Sequence, residues 1–413
     1  MMETAVGGTL GQGNNRQEAR RPIDIDFDSS IDDRLRIMRQ RFPVRYQLGD
    51  VQEINRRFIE ILEEIRVVVQ RQGEQLERLP DAAANDYWER LREVGADAYA
   101  YLPEAGNVYI QRLEAEAGER GISLDFTFTP GMNFLWEIVY TGDIDAPQRE
   151  ITSGRVANGH YPIDDLFWGL RYPLGHLYWD YDFKEQIRFQ QGILATAHEQ
   201  LLHSNGELAW LRQKVTELKA FFGVNFVFHK LEEAVLAEGF SDEKVWELFY
   251  GQQFRYGIVH FACHCVHQAE ADVNQAYLSF TAHDNELNLG VGKFNRQARQ
   301  KRCFQQAPFV FLNACETATP LHMLQSLDLP QILLKFGAGG VIATACTMPD
   351  NFASAFAREF YRRLLERPLV NRYAYIGEVL LETRRHFVEV YNNPLGLGYG
   401  HYALSNQQLR LSM

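Results

Sequence analysis

The chain predicts an α/β protein whose C-terminal half holds a mainly parallel sheet covered by helices on both faces, with an N-terminal α+β half packed on it. Three observations predict this. Short apolar runs such as "GIVHF", "PFVFLNA" and "GGVIATA" recur through the C-terminal half, and stretches with apolar residues at helical spacing lie among them. The runs are continuous rather than alternating, which is the pattern of strands buried on both faces.

Taken in order, residues 1–20 are rich in Gly, Asn, Gln and charge and read as a flexible tail. "PIDIDFDSS" alternates apolar and acidic residues and predicts a half-buried strand. Helical spacing follows in "VQEINRRFIEILEEIRVVVQRQ", "DYWERLREVGADAYAYL" and "VYIQRLEAEAGERG". "SLDFTF" then reads as a strand and "FLWEIVY" as a buried apolar segment. From there to residue 185 the aromatic, Pro- and Gly-broken sequence predicts irregular but packed structure. Residues 21–185 thus make up the N-terminal α+β half, for which a regulatory or non-catalytic role is the expectation.

Residues 186–413 carry the sheet. Strands are expected in "QIRFQQGILATA", "VNFVFH", "GIVHFACH", "APFVFLNAC" and "GGVIATAC". Helices are expected in "EQLLHSNGELAWLRQKVTELKAFFG", "KLEEAVLAEGF", "PQILLKFG", "FASAFAREFYRRLL" and "IGEVLLETRRHFVEVY". In such sheets ligands and chemistry sit beyond the C-terminal ends of the strands.

Composition narrows the function classes. The 413 residues carry a formal charge of −12, so no general attraction to nucleic acid or acidic membranes is expected, although "RRLLERPLVNRY" and "RQARQKR" are locally basic. No segment offers 18 uninterrupted apolar residues, and the start lacks a basic region followed by an apolar one. Five cysteines with no paired spacing suit a reducing compartment, and the chain reads as cytoplasmic.

Two of the expected strands end in reactive side chains: "GIVHFAC" runs into His264 and "PFVFLNA" into Cys315. If these strands are neighbours, both residues sit on one rim of the sheet. A free thiol has a pKa near 8.5, so a nucleophilic cysteine gains from a nearby imidazole or a helix N-terminus. His264 offers the first and the turn after Cys315 the second, while backbone N–H groups just past each strand could stabilise an oxyanion. "HFACHCVH" also crowds three histidines and two cysteines together, which raises the alternative of a metal site. Zinc, however, needs ligands from separated knuckles, and Cys303, Cys315 and Cys346 have no partner at knuckle spacing. His260 therefore reads as a buried, hydrogen-bonded strand residue, Cys263 and Cys265 as packing residues on the face opposite His264, and "FGAGG" as a helix C-cap rather than a phosphate loop. No metal or cofactor is expected.

The segments "IVHFACHC", "AYLSF", "FVFLNACETA", "LLKFGAGGVIATACTMPDNFASAFAREFYRRLL" and "GYGHYALSN" resemble, in order and spacing, the CHAT family of caspase-like cysteine peptidases, relatives of separase. "FLWEIVY" resembles that family's "LPWELL"-type segment. The 51 residues between His264 and Cys315 also agree with caspases, whose histidine lies about 50 residues before the cysteine. The resemblance implies a caspase-like α/β/α sandwich and a cysteine endopeptidase acting on a protein substrate. In it His264 would be the general base and Cys315 the nucleophile, with backbone N–H groups at Cys265 and Cys315 forming the oxyanion site. It implies control by a protein partner or ligand and a place in bacterial defence or signalling, with "ADVNQAY" and "TAHDNELNLGVGKFN" as candidate switch segments.

Cys265 stands where the family has Gly, and Thr347 and Met348 stand in the region of its Trp. Asp350 and Asp284 are acids that could line a pocket for a basic side chain, and Asn313, two residues before Cys315, is a neutral candidate beside them. The alternative expectation is a catalytically degenerate fold serving as scaffold or sensor. A small-molecule α/β enzyme is disfavoured, since no cofactor fingerprint appears.

Overall fold

The computed structural model describes residues 21–27, 30–31, 35–36, 40–46, 48–71, 78–100, 122–128, 134–142, 166–178, 180–189, 192–222, 226–235, 240–266, 276–314, 329–371 and 373–411, with a few isolated positions between. The expected strand in "PIDIDF" is β1 (Arg21–Phe27), paired antiparallel with β2 (Gln40–Tyr46). Two long helices follow, α1 (Leu48–Arg71) and α2 (Asp81–Ala100). β3 (Leu124–Phe128) pairs in parallel with β4 (Leu174–Tyr178), a strand inside the stretch expected to be irregular. Pro173 immediately precedes the strand and Gly175 lies within it, where a Cβ would meet Asp125 Oδ1 at 2.1 Å and the Ala403 carbonyl oxygen at 2.5 Å, so this glycine marks a close approach rather than a break. The third expected N-terminal helix lies largely outside the described residues.

The large sheet is built from β6 (Gly192–Ala197), β7 (Val227–Lys230), β8 (Ile258–Val266), β11 (Phe309–Ala314), β12 (Gly340–Thr344) and β14 (Tyr399–Tyr402), in the spatial order β7-β6-β8-β11-β12-β14. All neighbours are parallel except β14, which runs antiparallel on the edge. The hairpin of β9 (Tyr277–Ala282) and β10 (Asn285–Gly290) continues from the last three residues of β8, where pairing turns antiparallel.

Side chains alternate across β8 and so define two helical layers. His260 faces α3 (Leu202–Phe222) and α7 (Asp350–Asn371): its Nδ1 is 3.1 Å from the Tyr361 hydroxyl and its Nε2 3.0 Å from Glu207 Oε1. Burial raises the Glu207 pKa, and His260 only partly offsets it. Phe261 faces the other layer, where Phe249 of α4 (Asp242–Tyr250), Phe294 of α5 (Val291–Arg299) and Phe336 after α6 (Leu329–Lys335) pack edge to face. α4 and α5 are helices beyond those expected from the sequence. The expected helix in "KLEEAVLAEGF" is a single described turn, Leu231–Ala234.

The single strand expected in "QIRFQQGILATA" is two strands in different sheets. β5 (Gln186–Phe189) pairs with β15 (Gln408–Leu411), which also pairs with β13 (Tyr373–Tyr375), while β6 joins the large sheet. Gly192 makes the break: its φ is +120°, and a Cβ there would lie 1.8 Å from the Val227 carbonyl oxygen. "FGAGG" caps α6 as expected, with Gly337 at φ +99° and its N–H donating to the Leu334 carbonyl. In the basic stretch within α7, Arg362 pairs with Glu359 and Glu366, Arg363 with Glu382, and Arg367 with Glu378.

The N-terminal half joins the sheet through "FLWEIVY", which forms a buried 3-10 turn at Trp136–Ile138. Trp136 stacks on Phe126 at 4.2 Å. Glu137, fully buried, accepts from Arg384 of α8 (Ile376–Tyr391) at 2.9 Å and lies 2.8 Å from His176 of β4. Arg384 also donates to the carbonyls of Gly169 and Tyr399. Burial opposes the Glu137 charge, but the His176 and Arg384 charges outweigh it and hold its pKa below the usual carboxylate range. One hydrophobic core runs from Val51 in α1 to Leu409 in β15.

Two predictions follow from this joint. Glu137→Ala leaves the Arg384 guanidinium buried without its anion, and urea unfolding is expected to show a loss of about 3–5 kcal/mol. His401 of β14 is fully buried, and burial holds its pKa down to about 3 from 6.5. Below about pH 6.5 the unfolded chain takes up a proton that the folded chain refuses, so stability falls as pH drops towards 3. The contribution approaches about 1.4 kcal/mol per pH unit, and His401→Gln should flatten the stability–pH slope between pH 6 and 4 by that amount.

Candidate active site

The C-terminal ends of β6 and β8, and the N-terminal ends of α3 and α7, border a cleft of about 490 Å³ that is lined in part by His264, His198, Glu199, Glu286, Asp350 and Arg66. The parallel pairing of β8 stops at Ala262↔Ala197 on one side and at Cys263↔Ala314 on the other. His264 is thus the first residue past the parallel ladder, on the same strand face as His260. Ala314 immediately precedes Cys315 in the sequence, and Cys315 itself lies outside the described residues, as do Glu316 and His267.

The strand does not end at His264. It continues to Val266, with His264 opposite Ser279 and Cys265 opposite Leu278 of β9. Cys265 is not among the described non-glycine residues with positive φ, so the backbone at this position does not require glycine. Its side chain is buried, as is that of Cys263, consistent with packing on the face away from His264. Cys346 is also buried, and burial pushes its thiol pKa well above the ordinary value; burial raises that of the half-buried Cys303 as well. Neither Cys303 nor Cys346 therefore offers an activated thiol.

Asp350 lines the cleft, but its carboxylate is already engaged. It accepts from the backbone N–H groups of His203 at 2.8 Å and Ser204 at 3.0 Å, and from the Ser204 hydroxyl at 2.6 Å. One acid thus stands at the N-termini of two helices, beginning its own α7 and capping α3. Asp284 sits elsewhere, with φ +59° in the two-residue turn between β9 and β10, and lines a separate cavity of about 250 Å³ with Lys230 and Glu232. Asn313 lines neither of these two cavities: it is fully buried, donating to the Ala353 carbonyl at 3.0 Å and accepting from the Tyr399 hydroxyl at 2.8 Å. It ties β11 to α7 and β14.

His198, Glu199, Glu286 and Arg66 went unremarked in the sequence. His198 could have been found by the strand-end rule that singled out His264, because it directly follows the apolar run "ILATA". Glu286 and Arg66 reach the cleft only through a hairpin and a helix distant in sequence, and no local pattern marks them. Among the described residues, no group of three or more His, Cys, Asp or Glu side chains is placed to hold a metal ion. No helix of the described residues is long and apolar enough to cross a membrane.

Comparison with known proteins finds similarity over parts of the chain. Over 103 residues the chain is 36% identical to a "Probable protease" of Vitiosangium sp. (strain GDMCC 1.1324), a match that spans 25% of this chain and only 13% of that protein. Among solved structures it is similar to the Arg-specific cysteine proteinase gingipain R, with 11% identity, a TM-score of 0.41, and 88% of this chain and 76% of that one covered. It is also similar to the Saccharomyces cerevisiae separase–securin complex, with 10% identity, a TM-score of 0.36, and 88% and 22% covered. The CHAT domain family model matches residues 182–373, a span that begins just before β5 and takes in His264 and Cys315. That match takes in a little under half of the chain, and over it the chain is similar to CHAT domains.

Proposed function

We propose that the chain is a cytoplasmic cysteine endopeptidase that cleaves a protein substrate with Cys315 as nucleophile and His264 as its base. The observation that carries this reading is the register: Cys263 pairs with Ala314 across adjacent parallel strands, and His264 and Cys315 are the next residue on each. The strand that bears His264 opens onto the cleft, whose other walls carry acids suited to a basic substrate side chain.

In this mechanism the Cys315 thiolate attacks the peptide carbonyl, and backbone N–H groups at Cys265 and Cys315 receive the oxyanion. His264 protonates the leaving amine and then takes a proton from the water that hydrolyses the acyl-enzyme. Asp350, its carboxylate tied to α3, shapes the wall of the pocket for the side chain before the cut, and Glu199 and Glu286 on the same cleft supply acids to it. Activity is under the control of a protein partner or ligand, in a bacterial defence or signalling pathway, as the resemblance implies. Of the two candidate switch segments, residues 281–295 span the β9–β10 hairpin and the start of α5. Residues 271–277 lie almost wholly outside the described residues. The scaffold reading drew on Cys265 at the family's glycine position. That support weakens because the backbone there takes no positive φ.

A cysteine-directed acyloxymethyl ketone bearing a basic residue is expected to label the protein at Cys315, and Cys315→Ala to abolish labelling. His264→Ala should lower the labelling rate by roughly 100-fold or more, the usual worth of a positioned acid–base group. Unchanged labelling in both variants would leave the scaffold reading standing. A peptide-library cleavage profile then reads the preferred residue, with basic residues expected.

A further inference from the structure

A thiol–imidazole pair works only when the imidazole is held in one orientation, and a third group commonly holds it. His198 occupies the place from which that can be done. It directly follows β6, the strand on the opposite side of β8 from β11, and its backbone N–H donates to the Ala262 carbonyl at 3.0 Å, one step beyond the ladder. Its ring lies against the His264 ring with centroids 4.5 Å apart and planes at 64°, an edge-to-face contact.

The residue is fixed at several atoms. Its carbonyl accepts from Leu201 N–H at 3.0 Å and from the Asn205 side-chain amide at 2.9 Å. Its Nδ1 accepts the Gln200 N–H at 3.3 Å, which assigns the ring proton to Nε2 and makes the ring the neutral tautomer. Asn205 belongs to the first turns of α3, and Asp350 anchors that helix end through His203 and Ser204. The residue is 6% exposed. Burial, and next the neighbouring His264, hold its pKa below the ordinary histidine value, with Glu286 and Glu199 acting the other way. Asp350 and Arg66 are the other charged groups on the cleft walls. A neutral ring at this distance shields one side of His264 from water without repelling the imidazolium that forms there.

We propose that His198 is the positioning residue for His264, its ring acting as an edge-to-face brace that sets the imidazole in the orientation serving the Cys315 thiol. The inference rests on the dyad reading above and adds to it the group that orients the base.

The test needs no substrate. The rate of iodoacetamide alkylation at Cys315, located by peptide mapping, is measured against pH in the full chain. The wild-type inflection is expected below that of a free thiol, and His264→Ala should move it up to about 8.5. His198→Ala should move it part of the way, by about 0.5–1 pH unit, while His198→Phe, which keeps a ring in place, should stay near the wild type. If His198→Ala fails to fold, as judged by thermal melting, His198→Leu replaces it with the same expectation, since it keeps volume without a ring. A His198→Ala or His198→Leu profile that overlays the wild type, with His264→Ala shifted, would overturn the brace and leave the dyad intact. A His264→Ala profile that also overlays the wild type would overturn the dyad itself.

Discussion

Everything at the cleft depends on the parallel register between β8 and β11. In a parallel pair, side chains at matched positions share a face, so Cys263↔Ala314 sets which residues emerge together at the rim. A slip of one residue would exchange the faces of β8. His260, with its contacts to Glu207 and Tyr361, would then be driven into the aromatic layer of Phe249 and Phe336, and Phe261 would meet the buried Glu207 carboxylate. The polar contacts beneath one face and the aromatic packing on the other therefore act as a register lock. Asn313 adds to it by bonding at once to α7 and to β14.

From that register the helix ends are placed in turn. The crossovers of a parallel sheet put the N-termini of α3 and α7 at the same rim as the strand C-termini. Asp350 satisfies orphan N–H groups of α3 while beginning α7, so the two helix ends are tied to one carboxylate. Ser354 adds a second tie, donating to the His203 carbonyl at 2.9 Å. A cleft built this way needs little rearrangement of its walls to hold a base, because the strand, the preceding turn and both helix ends are fixed to one another.

The sheet was legible because buried parallel strands announce themselves as continuous apolar runs; "GIVHF", "PFVFL" and "GGVIAT" all became its strands. Strand ends could be read for His264 by the same logic. What stayed hidden depended on the third dimension. β14 lies in "YGHY", whose glycine and histidine dilute the apolar signal, yet the strand is fully buried against β12. The break at Gly192 follows from the approach of the Val227 carbonyl, 35 residues away. Asp284 and Asn313 share with Asp350 a short polar side chain beside apolar sequence. Only their surroundings separate a hairpin turn, a core hydrogen-bond bridge and a cleft wall.

The N-terminal half is part of the cleft rather than an appendage to it. α1 contributes Arg66 and Gln70 to the cleft wall, and the Arg66 guanidinium is bonded to Glu63 at 2.5 Å. Glu63 is largely buried, which raises its pKa, and the counterweights are Arg66 and hydrogen bonds from Thr347. Thr347 belongs to the segment between β12 and Asp350, so the same carboxylate faces α1 and the approach to α7. Behind it, Gly398 leaves room for Met348 and Leu62, since a Cβ there would lie 2.6 Å from one and 3.1 Å from the other. The segment leading to Asp350 is therefore held from the α1 side by ionic and apolar contacts. The docking of the N-terminal half and the position of the acid that caps α3 are thus set by one group of contacts.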